Sequence, residues 1–166
     1  MKAVKILAGT LFFVLFAVGA KAEESLDALL EATMTDIYGK PMALSDFRGK
    51  PLIVQFWARW CVPCRDEFPE LMALQAQYKE RGLAVLGIAL EEDPVKVREF
   101  LTAYQVSYPA ALAGEQGGIA LMQALGNDGA FLPFTLLIDR RGEVVLRQRG
   151  VFRKSDFEGV IGKLFL

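Results

Sequence analysis

Histidine is absent from this chain, and cysteine occurs twice, at Cys61 and Cys64. Each scarcity excludes something. Without histidine no imidazole can activate a nucleophile, and a zinc site, whose four ligands come mainly from Cys and His, would need carboxylates or a second subunit. One pair of cysteines is no disulfide framework of the kind that holds small secreted domains together. A bridge across so short a loop also removes little entropy from the unfolded chain. There is no internal repeat and no low-complexity tract.

Long apolar runs are scarce too. The longest, Ile6–Ala20, covers about 15 residues, short of the ~20 that span a bilayer as a helix. It follows Lys2 and Lys5 and precedes Ala20-Lys21-Ala22, small residues where signal peptidase requires them. Residues 1–22 therefore read as a signal peptide and 23–166 as the mature domain, with an uncleaved N-terminal anchor as the alternative. Removal of residues 1–22 takes Lys2, Lys5 and Lys21 and leaves 16 basic against 20 acidic residues, a net charge of −4. That balance argues against nucleic acid and for an ordinary soluble surface. The remaining length suits one compact domain.

What is present centres on the two cysteines. The apolar run Leu52–Phe56 leads into them and a helix-like segment, Arg65–Arg81, follows. A thiol between a strand and a helix faces unpaired backbone N–H groups and the positive end of the helix dipole. Both favour the thiolate, the form that attacks disulfides. With no histidine, Arg59 and Arg65 are the candidate cationic helpers of Cys61.

Local signals predict the remaining elements. Glu23–Ala32 reads as a polar lead-in. Met34–Ile37 and Pro41–Leu44 flank Gly39 as a hairpin, and Ser45–Gly49 is a helical turn. Leu52–Ala58 is a strand buried on both faces. A helix from about Val62 to Arg81 has Pro63 in its first turn, a kink at Pro69 and Gly82 as its stop. Leu83–Leu90 is a strand, and Asp93-Pro94 opens a helix to Tyr104. Pro109–Ala113 is a brief strand and Gly118–Leu125 a short helix. Phe134–Asp139 and Glu143–Arg149 form a second hairpin, before a last helix with a capping box from Ser155 to Glu158. The late basic residues Arg140, Arg141, Arg147, Arg149, Arg153 and Lys154 fit an edge strand guarded by charge, with a site for an acidic partner as the alternative.

The segment Phe56-Trp57-Ala58-Arg59-Trp60-Cys61-Val62-Pro63-Cys64 is similar to the thioredoxin active-site motif. With Asp46-Phe47-Arg48-Gly49-Lys50-Pro51, the run Cys64-Arg65-Asp66-Glu67-Phe68-Pro69, and Leu132-Pro133-Phe134-Thr135-Leu136-Leu137-Ile138-Asp139, the chain resembles the exported TlpA/ResA-like thiol–disulfide oxidoreductases. The resemblance implies an α/β thioredoxin-like fold: a mixed central sheet, helices on both faces and an N-terminal β-hairpin extension. It implies a redox-active Cys61–Cys64 disulfide, with Cys61 the exposed nucleophile and Cys64 the buried resolving thiol. Pro133 would be a cis-proline beside the disulfide, presenting Leu132 to a bound peptide, and Trp60 part of the docking surface, with Trp57 in the core. Glu67 would tune the pair and accept the Cys64 proton, the more so because Gln55 stands where cytosolic thioredoxins carry a buried aspartate; Glu91 is the other candidate.

The function so implied is a reductase of protein disulfides in the bacterial periplasm, serving cytochrome c maturation or copper-site assembly. It needs no cofactor or metal, acts on protein thiols and disulfides, is recharged by a membrane electron donor and is expected to be a monomer. The alternatives are a disulfide oxidant or isomerase, and a non-enzymatic Cu(I) chaperone using the same thiols. Strongly oxidising relatives carry histidine between the cysteines, where this chain has Val62-Pro63. The related peroxiredoxins have proline and threonine or serine where this chain has Val54 and Ala58, which excludes a peroxidase.

Overall fold

The computed structural model describes residues 26–27 and 29–166. The expected signal peptide, residues 1–22, lies outside the described residues. Among those described, no helix is long and apolar enough to cross a membrane.

β3 (Leu52–Trp57) is an interior strand of the seven-stranded sheet with every residue buried. β4 (Ala84–Ala89) pairs with it in parallel on one side and β6 (Phe134–Ile138) antiparallel on the other. Outside β4 come β5 (Ala110–Leu112), parallel, and then β1 (Thr33–Asp36), antiparallel. β2 (Pro41–Ala43) closes that edge as the hairpin partner of β1, and β7 (Val144–Arg149) closes the other against β6. The full order is β2-β1-β5-β4-β3-β6-β7.

The helices follow from the connections. α1 (Val62–Gln77) joins β3 to β4 and α2 (Pro94–Ala103) joins β4 to β5. Both are parallel crossovers stepping the same way, so right-handedness places both helices on one face. Aromatic packing agrees: Trp57 meets Phe68 of α1 edge-on at 5.4 Å and stacks on Phe100 of α2 at 5.6 Å. α4 (Lys154–Leu164) lies beside α1, its Phe157 ring 5.0 Å from Tyr78. α3 (Glu115–Ala124) covers the opposite face on the way from β5 to β6. This is the thioredoxin-like arrangement with its N-terminal hairpin.

Four local readings need correction. The lead-in is not a polar tail: residues 26–27 and 29–31 are helical, and Leu26, Leu29 and Leu30 are buried in the core. α1 ends at Gln77, and a tighter 3₁₀ turn, Lys79–Arg81, carries the chain to Gly82 at φ 81°. α3 starts at Glu115 rather than Gly118, because Gly118 serves inside it: a Cβ there would lie 2.6 Å from Leu90. The capping box is displaced. The N-cap of α4 is Arg153, whose N–H donates to Asp156 at 2.8 Å, and Lys154 N donates to Glu70 of α1 at 3.0 Å. That tertiary anchor starts the helix before Ser155, and Glu158 pairs instead with Lys154 at 3.7 Å.

Candidate active site

The redox pair sits where the C-terminal end of β3 turns into α1. Cys61 is the N-cap of that helix, and its Sγ accepts the Cys64 backbone N–H at 3.3 Å. The two sulfurs are joined as a disulfide. Cys64 is fully buried, and Cys61, expected to be exposed, is itself buried at 4%; of the pair only Cys61 keeps any exposure. Trp60, next to it, is 67% exposed, while Trp57 is buried beneath.

The peptide bond Leu132–Pro133 is cis. The register Phe56↔Phe134 brings the start of β6 to the same end of the sheet as the exit of β3, so Leu132 and Pro133 share that end with the cysteines. Pro133 is buried and Leu132 half-buried.

Behind Cys64 lies a buried polar chain. Gln55 Nε2 donates to Glu67 Oε2 at 2.5 Å and to the Cys64 carbonyl at 3.3 Å. Gln55 Oε1 accepts from the Tyr108 hydroxyl at 3.1 Å, and Glu67 Oε1 accepts the Phe152 N–H at 2.6 Å. Burial pushes the Glu67 carboxyl up from 4.5 to about 7; the hydrogen bonds from Phe152 and Gln55 oppose that rise, and the charges of Glu70 and Asp66 add to it. The Tyr108 phenol is raised first by burial and then by Glu67. A carboxyl poised near neutrality can take or return a proton under physiological conditions.

Residues 19–161 match the Redoxin family. The thiol–disulfide oxidoreductase ResA of Bacillus cereus (strain ATCC 10987 / NRS 248) is 31% identical over 163 residues, 96% of this chain and 91% of the relative. The chain belongs to the Redoxin family. Within it, the chain is a ResA-like thiol–disulfide oxidoreductase; ResA of Bacillus subtilis (strain 168) is 30% identical over 88% of this chain and 78% of its own length. Among solved structures, a thiol:disulfide interchange protein from Chlorobium tepidum is similar at TM-score 0.66 and 29% identity, over 81% of this chain and 93% of that one. A secreted disulfide oxidoreductase of Mycobacterium tuberculosis shares the fold, with TM-score 0.66 at 19% identity, covering 82% of this chain and 98% of that one.

In this Redoxin chain the two arginines expected to help Cys61 are engaged elsewhere. The Arg59 guanidinium pairs with Glu91 at 3.1 Å, and Glu91 also accepts the Arg59 N–H at 2.9 Å. Arg65 donates to the Tyr104 hydroxyl at 3.0 Å. Glu91 is thereby occupied by Arg59, and Glu67 alone joins the chain through Gln55 to Cys64. Of the late basic residues, Arg147 and Arg149 lie on the edge strand β7 and cap α3: Arg147 donates to the Leu125 carbonyl at 3.2 Å and Arg149 to that of Gly126, at the C-terminal end of α3, where cations are favoured.

Sequence reasoning missed Tyr108, the Phe152 N–H and Asn127. Nothing local marks the first two, which reach the site by folding. Asn127 had a signal, a polar residue among glycines in the loop before Pro133. Among the described residues no cluster of three or more His, Cys, Asp or Glu could hold a metal ion.

Proposed function

We propose that the chain is an exported reductase of protein disulfides that uses Cys61 as nucleophile. The Cys61 thiolate attacks one sulfur of a substrate disulfide and expels the other as a thiolate, leaving a mixed disulfide. Cys64 then gives its proton to the Glu67 carboxylate and attacks Cys61 Sγ. The second substrate sulfur leaves reduced, and the Cys61–Cys64 disulfide remains. Two electrons from a membrane donor restore the dithiol.

One observation supports the reducing direction above the others. Beyond the helix terminus, Cys61 Sγ has a single polar partner among the described residues, the Cys64 N–H, and both neighbouring arginines are committed to other groups. A strong oxidant needs a strongly stabilised thiolate, and this site provides a modest one. The expected signal peptide at 1–22 and the secreted relatives support an extracytoplasmic, periplasmic location. Cytochrome c cysteines and copper-site cysteines are the substrate classes that the resemblance to TlpA/ResA-like oxidoreductases implies.

Equilibration of the pair against a thiol redox buffer tests the direction. A potential near the ~−270 mV of thioredoxin, or modestly above it, is expected, and one near the ~−120 mV of a strong oxidant would replace the reductase with an oxidant or isomerase. Tight Cu(I) binding lost on Cys61→Ser, Cys64→Ser substitution would favour a copper carrier.

A further inference from the structure

Phe131 is 64% exposed, yet the loop that carries it is built to hold it still. Asn127, fully buried, grips the Phe131 backbone on both sides: its Nδ2 donates to the Phe131 carbonyl at 2.8 Å, and its Oδ1 accepts the Phe131 N–H at 3.2 Å. Ala130 takes a left-handed backbone at φ 49°, which an alanine adopts only at some cost, and its N–H donates to the Asn127 carbonyl at 2.8 Å. The Phe131 ring lies over Gly129, where a Cβ would stand 2.2 Å from it. A buried amide and a strained alanine thus fix the backbone that carries one solvent-exposed aromatic ring, and that ring lies over a glycine. Burial in the protein does not repay that arrangement. A partner's apolar surface would, since fixed exposed aromatics are the usual anchors of interfaces.

Its position identifies the partner. Phe131 precedes Leu132 and cis-Pro133, at the end of the sheet shared with Cys61 and the exposed Trp60. We infer that Phe131 is a specificity-determining residue of the disulfide site, an aromatic shelf that receives an apolar side chain flanking the attacked cysteine of an extended peptide, with Asn127 as its positioning residue. The inference rests on the thiol–disulfide exchange proposed above, but not on its direction, because reduction and oxidation pass through the same mixed disulfide.

The test uses the chain carrying Cys64→Ser, which stops at that mixed disulfide, and two blocked pentapeptides as symmetrical disulfides. One has leucine on both sides of its cysteine, the other serine. The Cys61 thiolate bonds to one peptide sulfur and expels the other peptide as its thiolate; acid quenching and mass analysis give the rate. The leucine peptide is expected to react about tenfold faster, the equivalent of ~1.4 kcal/mol. Phe131→Ala should bring the ratio to about one and Phe131→Trp should keep it. Asn127→Ala, checked for folding by circular dichroism, should lower the ratio although the ring is still present. A purely structural role would slow both peptides alike and leave the ratio standing. That result, or equal rates for the two peptides in the parent, overturns the inference. An oxidant-like potential with the ratio intact would remove the reductase reading and leave Phe131 its role.

Discussion

The two sides of the redox pair are built on opposite plans. Behind Cys64 the groups are polar and dry: Tyr108, Gln55, Glu67 and the Phe152 N–H form one continuous set of hydrogen bonds. In front of Cys61 the groups are apolar and wet: Trp60 and Phe131 stand in solvent at 67% and 64% exposure. On the function proposed above, the contrast separates two tasks. Proton handling needs a low dielectric and fixed partners, so it is placed where water cannot compete. Partner capture needs apolar surface that is accessible until a partner covers it.

The comparison breaks most completely at the sulfurs themselves. Cys61→Ser should abolish thiol–disulfide exchange, whereas Cys64→Ser should still attack and then stall, accumulating a mixed disulfide visible on non-reducing gels. Equal loss at the first step in both variants would show that the outer and inner thiols are not distinct.

The next largest effect lies on the dry side. Glu67 ionises at 4.5 in the unfolded chain and at about 7 in the fold. Between those values the folded state keeps a proton that the unfolded chain has released, so stability falls as pH rises through the window. The full step, on the order of 3 kcal/mol, is complete above the folded value and absent below the unfolded one. Urea unfolding of oxidised wild type and Glu67→Gln across that window should show the decline only in wild type. The same variant should slow release of the mixed disulfide and remove its rise with pH near neutrality, since a neutral amide accepts no proton from Cys64.

A smaller loss is expected from Tyr108→Phe. It leaves Gln55 Oε1 buried without its donor and should cost about 1–2 kcal/mol in denaturant unfolding. An unchanged midpoint would mean that the polar chain ends at Gln55. On the wet side, Phe131→Ala should alter unfolding stability by less than about 0.5 kcal/mol, as for other exposed side chains. A larger loss would make the ring part of the core and end the contrast.

What could be read from the chain was local. The β3 run, Cys61 before a helix start, the cap at Asp93 and the hairpin around Gly39 each depend on neighbours a few residues away, and each is where the pattern puts it. The Ser155 capping box shows the limit of such signals: its pattern was sound, but the carboxylate of Glu70, 84 residues from Lys154, decided where the helix began. The same holds for the site. Residue spacing placed Glu67 on the helix of the cysteines, but its raised proton affinity comes from burial, moderated by hydrogen-bond partners 12 and 85 residues away. The arginines beside Cys61 suggested cationic help until folding brought Glu91 and Tyr104 to them. Periodicity, caps and turns are short-range properties of a chain, and so the elements and the redox pair were legible. Desolvation and hydrogen-bond partnership are properties of packed surroundings, assembled from remote segments only when the sheet closes.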